Sequence, residues 1–124
     1  MAQYPKTQPN RATTAEEPVC ASGKTISAAV TIAALHAAAP TDAPILGFSI
    51  PGENDDEDGT GREAIMWGDS VSQPNYVPAG VALDGNNCPV RDPTKVYVRK
   101  PSGAADVTDV VVNIFKGNNG PLEV

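Results

Sequence analysis

The sequence predicts an all-β protein: an antiparallel β-sandwich or β-tulip-like domain with an extended N-terminal arm. Its 124 residues include 12 prolines and 11 glycines, more than helix interiors tolerate. Short apolar runs with a period of two recur along the chain, and turn signals separate them at intervals of about ten residues. The last of these runs is rich in β-branched residues, which favour strands.

The first 22 residues are predicted to form the arm, and residues 23–124 the β domain. The arm carries three prolines, few large apolar residues and no periodicity. Such a segment buries too little surface to offset its ordering entropy. It is therefore either a disordered tail or a segment that orders against a partner. In the second case the partner-binding residues would be Tyr4, Pro5, Pro9, Arg11 and Pro18.

The segment from Lys24 to Ala39 fits both a helix and a strand. Its alanine content favours a helix, whereas apolar residues alternate along its first half, with β-branched residues on one face. In a chain otherwise rich in strands, we predict a strand over Thr25–Ala33 and a helical turn before Pro40. A short strand over Ile45–Ile50 follows.

Three further short strands are predicted before residue 90, over Ala64–Trp67, Tyr76–Pro78 and Val81–Leu83. The stretch Thr94–Gly117 is predicted to be a β-hairpin, because two alternating apolar runs flank Pro101, Ser102 and Gly103. Its second strand, Val107–Phe115, is apolar on both faces. Such a strand needs cover on both sides, from its own domain or from a neighbouring copy.

The acidic balance narrows the classes of partner. The formal net charge is −6 and the sequence pI is near 4.5, which argues against nucleic acid, since phosphate binding needs clustered lysine and arginine. An anionic membrane surface is disfavoured for the same reason. The apolar-biased run Ile26–Ala39 is too short to span a bilayer. The first ten residues lack the features of a signal peptide, so synthesis in the cytosol is expected. In that compartment free thiols are favoured over a disulfide for Cys20 and Cys88.

The acidic loop Glu53–Arg62 contains the best candidate for a metal site. Asn54, Asp56 and Asp58, followed by a glycine, match the opening of a calcium-binding loop. The bidentate acid expected eleven residues after the first ligand falls on Ile65, which cannot coordinate a metal. The loop is thus either a weak calcium site or, as the spacing favours, a solvated acidic loop.

No catalytic motif is found, so no enzymatic activity and no cofactor are predicted. The GKT sequence at residues 23–25 lacks the earlier glycine of a phosphate-binding loop, since that position is Pro18. His36 is the single histidine, and no nucleophile motif accompanies it. We therefore interpret His36 as a structural or surface residue.

Trp67 and Tyr76 are candidate ligand-stacking residues. Sugar sites combine aromatic platforms with carboxylates and amides, and Asp69, Gln73 and Asn75 lie close by in the sequence. Packing in the core or between subunits is the alternative for both aromatic residues.

The second half of the chain resembles small virion proteins of tailed phages, particularly capsid decoration (cement) proteins. The similarity is in the pattern of Ser70–Leu83 (SVSQPNYVPAGVAL), followed by Lys95–Arg99 (KVYVR), Ser102-Gly103 and a closing valine-rich strand. A proline-rich arm before a compact β domain is also typical of this class.

The resemblance implies a virion structural protein that binds and stabilises an assembled phage capsid shell. Its partners would be the major capsid protein and further copies of itself, with a homotrimer favoured. It would be made in the host cytoplasm and located on the capsid surface. The alternative function is a carbohydrate- or receptor-binding β-sandwich module of a phage tail, fibre or adhesin.

Overall fold

The computed structural model describes residues 16–37, 45–55 and 61–117. Within these ranges the chain forms seven strands and one short helix. In chain order they are β1 (Glu16–Ile26), β2 (Val30–Thr31), α1 (Ile32–His36), β3 (Ile45–Ser49), β4 (Ile65–Gly68), β5 (Asn75–Val77), β6 (Tyr97–Arg99) and β7 (Val107–Gly117). No helix in the described ranges is long and apolar enough to cross a membrane.

The strands form two antiparallel sheets. Sheet A has the order β1-β7-β3, and sheet B has the order β2-β6-β4-β5. The predicted all-β, sandwich-like fold is therefore confirmed. Side chains of both sheets meet in one core. The buried apolar residues are Ile26, Ile32, Leu35, Phe48, Ile50, Ile65, Val77, Leu83, Cys88, Val96, Val98, Val107, Val110, Val112 and Ile114.

The central strand β7 supplies a row of buried valine and isoleucine side chains to this core. Val110, Val112 and Ile114 follow the period of two and are fully buried. Val107 is also buried, although it lies an odd number of residues before Val110. Asp109 adopts a left-handed backbone conformation between them, with φ of 58°, and the pairing with β1 shifts here. This irregularity turns both valines towards the core.

The predicted hairpin over Thr94–Gly117 is wrong in its pairing. Both of its strands exist, but β6 lies in sheet B and β7 lies in sheet A. The link from Lys100 to Asp106 therefore crosses between the sheets instead of reversing within one. Lys100 and Asp106 form an ion pair of 3.0 Å across this link. Alternation indicated the strands, but it carries no information about which strand pairs with which.

The predicted strand over Thr25–Ala33 is only partly right. β1 ends at Ile26, β2 contains two residues, and α1 begins at Ile32. The helix begins there because the Thr31 side chain accepts a hydrogen bond from the Ala34 amide, as an N-cap residue does. The predicted strand Val81–Leu83 is replaced by an isolated bridge between Leu83 and Ile50.

The other short strands agree with the sequence within about one residue at each end. β3, β4 and β5 correspond to the predicted Ile45–Ile50, Ala64–Trp67 and Tyr76–Pro78. Residues 16–22, assigned to the arm in the sequence, belong to β1, which pairs with β7 along its length. Among the predicted arm residues Pro18 lies opposite Phe115, whereas Tyr4, Pro5, Pro9 and Arg11 lie outside the described residues.

Arg62 is buried where three loops meet, with only 1% of its surface exposed. Its Nε donates to the Pro51 carbonyl at 3.0 Å, Nη1 donates to the Glu63 carbonyl at 2.9 Å, and Nη2 donates to the Val81 carbonyl. Desolvation by burial lowers the pKa of Arg62 to about 10, so the guanidinium stays charged at neutral pH. One side chain thereby joins three loop segments.

Candidate functional site

On the face of sheet A that points away from the core, the two rows of paired residues centred on Asn113 and Phe115 carry no charged side chain. Asn113 lies opposite Cys20 on one side and Ser49 on the other, and Phe115 lies opposite Pro18 and Gly47. On β7, Asn113 and Phe115 alternate with the buried Val112 and Ile114, so these two residues and their paired partners belong to the opposite face. We call this surface the outer face. Its members are Pro18, Cys20, Gly47, Ser49, Asn113 and Phe115.

The outer face continues into a groove beside β3. This groove has a volume of about 380 Å³ and lies between β3 and the loop formed by residues 84–91. Phe115 lines it together with Leu46 and Phe48, and Asp84 and Arg91 supply polar groups. We call it the β3 groove. Its lining therefore combines apolar side chains with one negatively and one positively charged side chain.

The loop beside the β3 groove is held by its own hydrogen bonds. Asp84 Oδ1 accepts from the Asn86 amide at 2.9 Å, and Asn87 Oδ1 accepts from the Asp84 amide at 3.0 Å. Asn87 Nδ2 also donates to the Ala82 carbonyl at 2.7 Å. These are local turn contacts between side chains and backbone. The shape of the groove is therefore set before any partner binds.

The two edges of sheet A differ in their cover. On β1, His36 Nε2 donates to the Val19 carbonyl at 2.8 Å, so α1 protects part of this edge. A carbonyl only accepts, so the proton lies on Nε2. His36 is 2% exposed, and its Nδ1 has no hydrogen-bond partner within residues 16–37, 45–55 and 61–117. The other edge, β3, faces the groove. His36 thus has a structural role at the β1 edge, and β3 is the better candidate for contact with an extended segment.

The two candidate stacking residues, Trp67 and Tyr76, lie on opposite faces of sheet B. Tyr76 lies opposite Met66, which in turn lies opposite Arg99. Tyr76 is 61% exposed. Trp67, one residue further along β4, points to the other face and packs against the core. The two rings therefore cannot stack on one ligand.

The polar residues near Trp67 in sequence separate in the structure. Asp69 and Asn75 line one groove together with Trp67. Gln73 is buried and donates to the Asp69 carbonyl at 2.6 Å, so it supports the loop. The structure thus brings together three of the five residues considered for a sugar site.

Only the start of the predicted calcium loop is described. Asn54 forms an isolated bridge with Val110, and its side-chain oxygen is buried without a hydrogen-bond partner in the described part of the chain. Asp56 and Asp58 lie outside the described residues. Among the residues that are described, no group of three or more histidine, cysteine, aspartate or glutamate side chains could hold a metal ion. The calcium site stays a prediction.

Both cysteines are free thiols, as the sequence predicts. Cys20 is exposed on the outer face, and Cys88 is buried beside the β3 groove. Burial raises the pKa of the Cys88 thiol, which keeps it protonated at neutral pH and so makes it a weak nucleophile.

Sequence reasoning missed the β3 groove and the role of Arg62. The two apolar faces of β7 did signal that a second surface needs cover. Nothing in the local sequence indicates that residues 84–91 come to lie beside β3, because that contact joins distant parts of the chain.

Comparison of the chain with models of protein families, with curated proteins and with solved structures gave no match. Its function is therefore inferred from its own surfaces and from the sequence pattern.

Proposed function

We propose that the protein is a non-enzymatic virion structural protein that binds and stabilises the assembled capsid shell of a tailed phage. The support for this class of protein is the sequence pattern of residues 70–83 and 95–117, which resembles that of decoration proteins. The observation that supports a contact function is the uncharged outer face that continues into the β3 groove. The major capsid protein and further copies of this chain are the proposed partners.

The shape of this surface suits an extended protein segment. A strand at the edge of a sheet can pair with an added segment through backbone hydrogen bonds, while side-chain pockets select the sequence. β3 offers the edge, and Phe115 and Leu46 offer apolar contact in the neighbouring groove. Asp84 and Arg91 add charges that fix the register of a bound segment.

The charge distribution is compatible with a repeating shell. The chain carries a net charge of −6, yet the rows of the outer face are neutral. A neutral contact face avoids repulsion between neighbouring acidic copies, and acidic surfaces elsewhere keep a coated particle soluble. Many weak contacts on a lattice then add up to firm attachment, more so if the copies form the proposed trimer.

A charge placed in the middle of the outer face tests this surface. Asn113→Glu is expected to weaken binding to shells of the virus's major capsid protein by at least about tenfold, since an unpaired carboxylate would be desolvated in the contact. Co-sedimentation of purified protein with these shells measures the binding. Tyr76→Glu, on the exposed face of sheet B, is the matched control and should bind like the unaltered protein. Equal binding of the two variants would refute the role of the outer face.

Residues 1–15 can be tested separately, because β1 begins at Glu16. A variant that lacks residues 1–15 keeps every residue of β1 that pairs with β7. We expect this variant to bind shells at least about tenfold more weakly, because the segment would add a second contact. Its midpoint of unfolding in urea should be unchanged. Unchanged binding by the same sedimentation assay would remove the segment from the proposed contact.

A further inference from the structure

A second groove lies at one end of sheet B and borders the β3 groove, since Val90 lines both. It has a volume of about 300 Å³ and lies where β4 runs into the loop formed by residues 69–74. The polar and aromatic residues that line it include Trp67, Asp69, Ser72, Asn75 and Lys95. We call it the Trp67 groove. Its volume is at the lower end of the range of small-molecule sites, about 300–1,000 Å³.

Trp67 gives this groove a fixed aromatic wall. It is half-buried and packs against the core, so its ring has little freedom to move. It lies opposite Val98 on one side and Asn75 on the other. The face of an indole ring carries a partial negative charge, which attracts weakly positive C–H groups. Such a wall favours a flat ligand that presents C–H groups on one side.

The carboxylate of Asp69 is held in place and can still accept hydrogen bonds from a ligand. Its Oδ1 accepts from the backbone amides of Val71 and Ser72, both at 2.9 Å. These hydrogen bonds lower the pKa of Asp69, so the group is charged at neutral pH. Its second oxygen takes part in neither of these two hydrogen bonds. A carboxylate fixed in this way can accept hydrogen bonds from ligand hydroxyls.

Asn75 and the loop behind it are also ordered by hydrogen bonds. Asn75 Nδ2 donates to the Trp67 carbonyl at 3.1 Å, which fixes the amide beside the ring. Gln73 Nε2 donates to the Asp69 carbonyl, and Arg99 Nη2 donates to the Gln73 carbonyl at 3.2 Å. The groove is therefore preformed, which reduces the entropy cost of binding a ligand.

We propose that the Trp67 groove binds a neutral sugar, with one ring stacked on Trp67 and its hydroxyls bound by Asp69 and Asn75. A sugar ring combines a face of C–H groups with a rim of hydroxyl donors and acceptors, matching the wall and the polar groups described. The charges of Asp69 and Lys95 oppose each other, so the groove has no net preference for a charged ligand. The proposal does not rest on capsid attachment, because Trp67, Asp69 and Asn75 line neither the outer face nor the β3 groove.

Trp67 is the single tryptophan of the chain, so its fluorescence reports directly on the groove. The probes are glucose, galactose, mannose, N-acetylglucosamine and glucuronate, each titrated into the full chain up to about 100 mM. We expect a saturable change in emission for at least one neutral sugar, with a Kd of about 1–10 mM. Calorimetry with the same sugar should give the same Kd.

A pair of matched variants assigns the effect to the groove. Asp69→Asn keeps an oxygen that can accept from the Val71 and Ser72 amides but removes the charge, and it should weaken sugar binding at least about fivefold. Asp84→Asn makes the same change at a loop aspartate in the β3 groove and should leave the Kd unchanged. No saturable change with any neutral sugar, binding of glucuronate alone, or equal Kd values for both variants would overturn the proposal.

Discussion

Replacing Arg62 with alanine is expected to lower the free energy of unfolding by about 3–5 kcal/mol. The reason is that the change leaves three backbone carbonyl groups without their hydrogen-bond donor. Arg62 donates to the carbonyls of Pro51, Glu63 and Val81. A fully buried acceptor that loses its donor costs about 1–3 kcal/mol. These three hydrogen bonds are part-buried, so entry of water reduces the sum.

The position of Arg62 makes this loss difficult to compensate. Its backbone amide donates to the Gly52 carbonyl at 2.9 Å, and its carbonyl accepts from the Gly80 amide at 3.1 Å. Backbone and side chain thus hold the same loops. Arg62 has no acidic partner among the described residues, so the loop carbonyls are its main source of stabilisation. Lysine is a poor substitute, because one ammonium group does not reproduce the planar fork of donors.

Urea unfolding followed by circular dichroism measures this effect. Arg62→Ala should shift the midpoint strongly to lower urea, and Arg62→Lys should retain only a minor part of the lost stability. Arg91→Ala is the control, because Arg91 is exposed and such surface changes usually stay within about 0.5 kcal/mol. A loss below about 1 kcal/mol for Arg62→Ala would show that the three loops do not depend on this side chain.

Gly68→Ala is expected to lower the free energy of unfolding by about 2–4 kcal/mol, which is the second large effect. A Cβ atom at Gly68 would overlap the carbonyl oxygen of Ser72 and would lie 2.6 Å from the Cα atom of Gln73. Both neighbours are backbone atoms, so the loop after β4 must move as a unit. That movement would also deform the Trp67 groove, which Gly68 and Ser72 both line.

Gly47→Ala is the matched control for this prediction. Gly47 also lies in a strand, but apart from its two chain neighbours no atom of the described residues lies within 4 Å of the position that its Cβ would take. Its stability should stay within about 0.5 kcal/mol of the unaltered protein. Thermal unfolding of both variants under the same conditions compares them. Similar melting temperatures for the two variants would mean that the loop accommodates the extra methyl group.

Local patterns predicted the elements of the fold better than their arrangement. The alternation around Val98 and Val112 indicated two strands, because side chains of a strand alternate between its faces. It did not indicate that the strands lie in different sheets, since pairing depends on contacts distant in sequence. The helix α1 was placed too late because the capping role of Thr31 competed with an apparent strand pattern.

The candidate sites were predictable only where one short segment builds them. Trp67, Asp69 and Asn75 were associated from their closeness in sequence, and they do line one groove. Tyr76 was wrongly joined to them, because the register of β4 and β5 decides which face it occupies. The burial of Arg62 was not foreseen, since charged side chains are rarely buried without a charged partner.

The most direct test of the proposed function is the number of copies that bind to one capsid shell. Shells assembled from the major capsid protein of the virus would be mixed with increasing amounts of this protein, sedimented and quantified. The proposal predicts saturation at a fixed whole-number ratio to the capsid subunits, because equivalent lattice sites are limited in number. Absence from the sedimented shells, or uptake that rises without a plateau, would contradict it.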